Sequence, residues 1–335
     1  MGAKHVLGID IGGTKVAAGL VNGSGEIVSI ARAPMNANGS AEDAMRSVQE
    51  AIAGVFPDAK GREVFGVGVA SPGPLDPICG LVLHSPNLAC WRDFPLTSSV
   101  QAICGIPTRL DNDANAGGLA EALWGAGAGY RHVFYITIGT GIGTALVYDG
   151  HLYHGRTGNA PEGGHQTIDI HAPVRCGCGK RGCIEGLASG PAIAEQARAL
   201  AVEDPSAARA LLAAAGNRPD GITPEVLFRC WHAGDPFSTR LVDGTVELLA
   251  VWLGNLIDLF EPDIFIVGGG VGMGLQPAYD RLRTAAARWS LNGRAAEIPM
   301  APARYGVDAG IAGSAALWFQ DTPADVAIDV TPSVP

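Results

Sequence analysis

Two stretches far apart in the chain are written to one plan. Val6-Leu7-Gly8-Ile9-Asp10-Ile11-Gly12-Gly13-Thr14-Lys15-Val16-Ala17-Ala18-Gly19-Leu20-Val21-Asn22-Gly23 aligns without a gap on Val133-Phe134-Tyr135-Ile136-Thr137-Ile138-Gly139-Thr140-Gly141-Ile142-Gly143-Thr144-Ala145-Leu146-Val147-Tyr148-Asp149-Gly150. Each reads as an apolar strand, a tight Gly/Thr turn, a second apolar strand and then Asn-Gly or Asp-Gly, the strongest short hairpin signal. A shared register of this length points to duplication rather than to the general likeness of hairpins. It implies an α/β chain of two similar domains facing each other. The 335 residues suffice for two cores. A composition of 47% hydrophobic and 17% charged residues, with 47 glycines, describes a loop-rich globular protein and excludes a disordered one.

Both turns offer what a phosphate needs. Gly12, Gly13, Gly139 and Gly141 let backbone N–H groups approach closely, and Thr14 and Thr140 add hydroxyl donors. Asp10 ends the first strand where Thr137 ends its counterpart. A carboxylate beside a phosphate repels it unless a cation intervenes, so Asp10 implies Mg²⁺ held through water. Lys15 would neutralise phosphate charge. A third glycine turn, Gly268-Gly269-Gly270, follows the strand Ile264-Phe265-Ile266 and would let a flat ring or ribose lie against backbone. The chain has no G-x-x-x-x-G-K-S/T run, which excludes a P-loop. The G-x-G-x-x-G spacing of Gly177, Gly179 and Gly182 has no apolar strand before it, which excludes a dinucleotide fold there.

Arg109-Leu110-Asp111-Asn112-Asp113 ends a strand, and 114–123 reads as a helix capped by Asn112 or Asp113. Three polar residues in a row exceed what one cap needs. A carboxylate at a helix N-terminus stays ionised, yet can accept a proton from a hydroxyl during transfer. Two turns precede this strand in sequence, a Pro- and Gly-rich one holding Gly73 and a polar loop holding Asn87 and Trp91. Helical periodicity covers 190–214, 224–232, 236–260 and 310–319, and 320–335 reads as a frayed tail.

His165 precedes Cys176, Cys178 and Cys183, a His with Cys-x-Cys-x4-Cys. Three thiols and one imidazole make a closed tetrahedral set for zinc, with no open position for catalysis. Glu162 and Glu185 bracket the set. A metal there would orient the free nitrogen of His165 and draw both carboxylates into one pocket suited to sugar hydroxyls. On this reading the metal is a clamp for the sugar site, and the phosphate turns at Gly12 and Gly139 stand outside it. The remaining thiols, Cys79, Cys90, Cys104 and Cys230, read as buried small hydrophobes.

A net charge of −10 gives nothing that draws the chain to nucleic acid or anionic membranes. The first strand begins almost at once, so no signal peptide is expected, nor does any apolar run reach the length of a membrane span. The expected setting is a reducing cytoplasm, where clustered cysteines favour metal over disulfide.

In order along the chain, these motifs resemble the ROK family of bacterial sugar kinases, transcriptional repressors and related proteins, from Val6 to about Leu317. Asp10 to Lys15 is similar to its first phosphate motif and Thr137 to Gly143 to its second. Asn112-Asp113-Ala114-Asn115-Ala116 is similar to its catalytic segment. Glu162 to His165 and Cys176 to Glu185 are similar to its sugar and zinc motifs. The resemblance implies an actin-like, ribonuclease H-like ATPase fold with a cleft between two α/β domains. These would be 1–113 with 308–320, and 114–307, followed by a tail at 321–335. It also implies ATP-dependent phosphorylation of a hexose, with glucose at its 6-hydroxyl foremost, and ATP, Mg²⁺ and structural Zn²⁺ as cofactors. Asp113 would be the catalytic base, with Gly73, Asn87, Asn112, Glu162, His165 and Glu185 around the sugar. Asp10, Gly12, Gly13, Thr14, Lys15, Thr137, Gly139, Thr140, Gly141, Gly268, Gly269 and Gly270 would face ATP and Mg²⁺. His165, Cys176, Cys178 and Cys183 would hold zinc.

N-acetylmannosamine, N-acetylglucosamine, fructose, allose or a cyclitol are alternative substrates within the family. A sugar-responsive repressor is disfavoured by the acidic charge and by the lack of a DNA-binding segment before Asp10. The family suggests a homodimer or tetramer. The sequence departs from its pattern at Gly163, where an aliphatic residue is usual. That departure predicts a less packed sugar loop, with Pro161 restoring stiffness by fixing φ.

Overall fold

The first echo folds into the predicted hairpin. Strand β1 (Lys4–Ile11) pairs antiparallel with β2 (Lys15–Asn22), which continues into β3 (Ile27–Pro34). The computed structural model describes residues 4–60, 62–85 and 88–320. Helix α1 (Ala41–Ala59) returns the chain so that β4 (Glu63–Ser71) lies parallel to β1. A small antiparallel sheet of β5 (Leu75–Asp76), β6 (Leu81–His84) and β7 (Arg92–Phe94) follows, then α2 (Leu96–Cys104). Strand β8 (Thr108–Asn112) completes the first large sheet in the order β3-β2-β1-β4-β8.

The second half repeats this plan after α3 (Asp113–Trp124). Strands β9 (His132–Ile138), β10 (Ile142–Tyr148) and β11 (His151–Leu152) form the antiparallel part. The helices α4 (Ile184–Ala188), α5 (Gly190–Glu203), α6 (Arg209–Ala214), α7 (Pro224–His232) and α8 (Pro236–Phe260) intervene. Strand β12 (Ile264–Gly268) then joins β9 in parallel, and α9 (Gly270–Gly274) and α10 (Tyr279–Ala287) lead to β13 (Met300–Pro302). The order β11-β10-β9-β12-β13 is that of the first sheet. In both sheets the parallel strands arrive by helical crossovers, as parallel pairing requires.

The alignment of the two echoes is gapless in sequence but not in space. In the first hairpin Ile11 faces Val16, and Gly12 N–H closes the turn on Lys15 O at 2.9 Å. In the second Ile138 faces Ile142, and Gly139 N–H closes on Gly141 O at 2.9 Å. The second turn is therefore one residue shorter. Through their partners Ile9 and Ile136, Ala18 rather than Ala17 is the counterpart of Thr144.

Each sheet has its own core. Ile9, Leu20, Val48, Val69 and Trp91 are buried together in the first half, and Phe134, Ile136, Leu249, Trp252 and Phe265 in the second. The last helix, α11 (Ala309–Ala316), ties the halves. Its Ile311 and Ala315 pack on Val6 and Val21, while Ala312 and Ala316 pack with Leu119, Val133 and Ile266. The approach is close enough that a Cβ on Gly68 would collide with the carbonyl of Ser314. This seats the end of β1 and the start of α3 against one helix, which brings Asp10 and Asp113 to the same cleft.

Two expectations are corrected. The span 190–214 is not one helix but α5 and α6, because Pro205 cannot continue a helix and biases Asp204 away from it. Asp204 sits at φ −133° and its carboxylate accepts from Ala207 N–H at 3.0 Å instead. Of the scattered thiols only Cys230 is buried; Cys90 and Cys104 are half-buried and Cys79 is exposed. Among the described residues no helix is long and apolar enough to cross a membrane.

Candidate active site

Asn112 caps α3, its side-chain oxygen accepting from Ala114 N–H at 2.9 Å and from Asn115 N–H at 3.4 Å. This leaves Asp113, the first helical residue, free of the capping duty. Its Oδ1 accepts from Ala114 N–H at 2.8 Å. Asp113 is exposed as a residue, but its carboxyl is enclosed at longer range by the cleft walls, and that enclosure governs its charge. Burial raises it above its ordinary value, and the bonds from Ala114 and Asn112 offset only part.

Behind it, Asp111 is 2% exposed and fully engaged. It accepts from Asn112 N–H at 2.7 Å and from Asn115 Nδ2 at 3.0 Å, and its Oδ2 lies 2.6 Å from His154 Nε2. Burial works to lower the His154 imidazole, but the bond and charge of Asp111 outweigh it and hold it above its ordinary value. The run of three polar residues thus divides its labour: Asp111 anchors the strand end, Asn112 caps, and Asp113 faces the cleft. His154 carried no signal in the sequence.

Asp10 lies at the end of β1 against the start of α11, where a Cβ on Gly310 would strike its carboxyl group. Burial, then the like charge of Asp113, push Asp10 up to about 6, against the pull of Lys15. Gly12 and Gly13 are half-buried, and Thr14 and Lys15 are exposed. The second and third glycine turns converge. Thr137 pairs with Gly268, and Gly269, at φ +77°, presses so closely on Ile138 that a Cβ would collide with its backbone. Gly270 starts α9 beside them, and Thr140 is exposed at the tip of the second turn.

Gly73, Asn112, Asn115, Ala160, Pro161 and Glu162 line one small cavity. Burial raises the Glu162 carboxyl; His165 pulls it down, while Asp113 and Glu185 push it further up. Asp10, Asp113 and Glu162 are thus three carboxylates raised in one cleft, a pattern of sites that receive a cation or a hydroxyl. Asn87 lies outside the described residues.

The loop carrying Glu162 is not loosened by Gly163. Thr144, 3% exposed on β10, donates to Pro161 O at 3.0 Å and accepts from Gly163 N–H at 2.9 Å, spanning Glu162. A Cβ at Gly163 would lie 3.0 Å from the Thr144 side chain, so the threonine fills the space an aliphatic residue would take. Trp252 Nε1–H also donates to Gly163 O at 3.1 Å. The expected slack is absent because its filler comes from another strand.

His165, Cys176, Cys178 and Cys183 converge, with all four ligand atoms within 4.8 Å of one another. His165 Nδ1 is 3.5 Å from Cys176 Sγ, and Cys178 Sγ is 3.7 Å from Cys183 Sγ. Tetrahedral zinc with ordinary bond lengths has N–S and S–S edges of about 3.6 and about 3.8 Å, so the donor set fits that ion. Nδ1 faces the thiols, which leaves Nε2 on the cleft side, 4.0 Å from Glu162 Oε2. Burial pushes the Cys176 thiol up to about 12, with Glu185 adding to it, an environment that a bound cation reverses.

Glu185 departs from the expected separation of metal clamp and phosphate turns. Its Oε1 lies 3.4 Å from Cys176 Sγ and 3.7 Å from His165 Nδ1, and its Oε2 accepts from Ile142 N–H at 2.9 Å. Gly190 N–H at the start of α5 donates to Gly139 O at 2.8 Å. The turn at Gly12 stands apart from the cluster, as expected; the turn at Gly139 does not.

The sequence matches the ROK family over residues 6–321. It is 35% identical to a glucokinase of Streptomyces coelicolor over 95% of this chain and 98% of that protein. It is 31% identical to an N-acetylmannosamine kinase of Salmonella paratyphi A, over 94% of this chain and 99% of that one. Its fold superposes on a ROK family glucokinase from Streptomyces griseus, solved with glucose and AMPPNP, at a TM-score of 0.80 and 34% identity, covering 93% and 98% of the two chains. The two repeated sheets around a cleft are the actin-like ATPase fold of that group. By sequence and by fold alike, the chain belongs to the ROK family.

Proposed function

We propose that this chain is an ATP-dependent sugar kinase, transferring the γ-phosphoryl group of ATP to a hexose, glucose at its 6-hydroxyl foremost. The observation that carries the reading is Asp113, standing at a helix start between glycine turns of phosphate-binding type and the hydroxyl-binding set of Asn112, Glu162 and His165. The likeness to Streptomyces glucokinases at 34–35% identity over nearly full length favours glucose. The N-acetylmannosamine kinase at 31% identity keeps that substrate as the second reading.

Phosphoryl transfer depends chiefly on positioning and charge neutralisation. Asp113 takes the proton from the attacking hydroxyl as the new O–P bond forms and ADP leaves. Its burial-raised pKa makes it a better proton acceptor than an ordinary carboxylate, a contribution of about 10²–10⁴-fold. Asn112, Glu162 and the Nε2 side of His165 orient the sugar, with Gly73 at the pocket wall. Backbone N–H groups of the turns at Gly12 and Gly139 receive the phosphates, and the turn at Gly269 receives the nucleoside. Asp10 would face the Mg²⁺ that accompanies ATP, which would supply charge neutralisation. His165, Cys176, Cys178 and Cys183 would hold Zn²⁺, which would supply a fixed frame. In domain terms we assign 1–113 with 308–320 to one wall and 114–307 to the other.

An ADP-release assay over a sugar panel tests this. Glucose should give the highest kcat/KM; tenfold preference for N-acetylmannosamine would move the assignment to the second reading, and no turnover on any sugar would remove it. Asp113→Asn should lower kcat by about 10²–10⁴-fold while sugar affinity, read by calorimetry, stays within about threefold.

A further inference from the structure

We propose that Glu185 is a positioning residue for the second phosphate turn, and that through it sugar and nucleotide binding are coupled. The inference rests on the reading that the cleft takes a sugar and the Gly139 turn takes phosphate.

Three observations meet on this one side chain, and a fourth lies beside it. Ile142 is a buried residue, 4% exposed, and its N–H finds its acceptor in Glu185 Oε2 at 2.9 Å. A buried backbone donor left without an acceptor is costly, so the carboxylate helps fix where the turn closes. The turn also lies directly on the carboxylate: a Cβ at Gly141 would be only 2.6 Å from Oε2. The other oxygen, Oε1, lies against the His-Cys cluster that sets His165 toward the cleft, 3.4 Å from Cys176 Sγ and 3.7 Å from His165 Nδ1. Finally, α4 and α5, which carry Glu185 and Gly190, are docked on the turn a second time by Gly190 N–H to Gly139 O at 2.8 Å.

A sugar that loads the cleft side of His165 therefore acts on a cluster whose neighbouring carboxylate holds the phosphate turn with its other oxygen. Such coupling is reciprocal: if sugar tightens nucleotide binding, nucleotide tightens sugar binding by the same factor. Charge and hydrogen bonding act in opposite directions here. The negative charge of Glu185 opposes phosphate binding, while its acceptor lone pairs organise the N–H groups that favour it. Two substitutions separate these effects. Glu185→Gln keeps an acceptor and removes the charge. Glu185→Ala removes both.

The experiment is calorimetry of AMPPNP with Mg²⁺ on the metal-replete protein, with and without saturating glucose. Without sugar, Glu185→Gln should bind AMPPNP at least as tightly as wild type, and Glu185→Ala about tenfold more weakly. The effect of glucose on AMPPNP affinity should shrink toward onefold in Glu185→Ala. If both variants bind AMPPNP as wild type does in the absence of sugar and lose only glucose affinity, Glu185 serves the sugar alone and the proposal is overturned. If wild type does not bind AMPPNP, the nucleotide reading of the turn fails first and the proposal falls with it. Should Glu185→Ala not fold, the Ile142 amide of wild type decides. Its hydrogen exchange, followed by NMR, changes on adding glucose if the carboxylate is shared, and unchanged exchange overturns the proposal.

Discussion

The hairpin after Ile11 and the hairpin after Ile138 are built from the same pair of strands, yet the first carries its own charges and the second borrows them. Asp10 and Lys15 flank the first turn, which is held from outside by Met35 N–H on Thr14 O at 2.9 Å. Neutral Thr137 takes the place of Asp10 in the second, where charge and bracing come from Glu185 and from the start of α5. A duplicated unit has thus been put to two uses. One turn is exposed and charged, suited to respond to a metal–phosphate group. The other is tied in advance to the elements that form the proposed sugar wall, which reduces the ordering that binding must impose.

The comparison breaks most visibly at its charged residue. On the proposed function Asp10→Asn should lower turnover by about 10²-fold or more, since it removes the carboxylate assigned to the cation. It should also stabilise the ligand-free, Mg²⁺-free protein. Asp10 is raised from 3.8 to about 6 in the folded state. The folded chain therefore holds this proton more tightly than the unfolded chain. Its contribution is fully present below pH 3.8 and is lost as pH rises through about 6. At pH 7 the charged group costs up to about 3 kcal/mol at one pKa unit per 1.36 kcal/mol. Asp10→Asn should therefore raise the melting temperature at pH 7 and leave it nearly unchanged at pH 3.5. Thr137→Ala, at the matching place, has no charge to remove and should give no such pH-dependent gain in melting temperature. Equal pH profiles for wild type and Asp10→Asn would refute the assignment of strain to this carboxylate.

Removing the metal should separate the two turns less drastically. A strong chelator is expected to weaken glucose binding by about tenfold or more, as losses around metal sites commonly do. AMPPNP affinity should fall with it, because the Gly139 turn hangs on Glu185 and α5. Hydrogen exchange should rise at Ile142 and stay unchanged at the first turn, Gly12 to Lys15. Faster exchange at both turns alike would mean that the chelated protein is unfolding as a whole.

What could be read in advance follows the range of the interactions. The hairpins, the α3 cap and the His-Cys set are written in residues close together, so spacing alone disclosed them. The shorter second turn was hidden because strand register is set by pairing and by what the turn rests on, here Glu185 and Gly190. The Asp111–His154 pair joins residues from opposite halves, and no local pattern marks it. Pro205, by contrast, was in plain view, and the single long helix over 190–214 gave its periodicity too much weight against a known breaker.

The subtlest difference between the hairpins lies on their second strands. Thr144 and Ala18 are counterparts by register, both buried, but Ala18 has no hydroxyl and no loop to hold. Thr144 brackets Glu162 and also fills the room beside Gly163. Thr144→Val keeps the shape and removes both hydrogen bonds. It should raise KM for the sugar about threefold to tenfold, in line with the loss of one or two neutral hydrogen bonds, and leave kcat within about twofold. Thr144→Ser should restore KM. Gly163→Ala should cost about 1 kcal/mol of stability through overpacking, since its Cβ would sit 3.0 Å from both Thr144 Oγ1 and Cγ2. Adding Thr144→Ser removes the crowded methyl and should recover most of that loss. Strict additivity of the two substitutions would show that the space at Gly163 is not shared with Thr144, and that the second hairpin holds the sugar loop by hydrogen bonding alone.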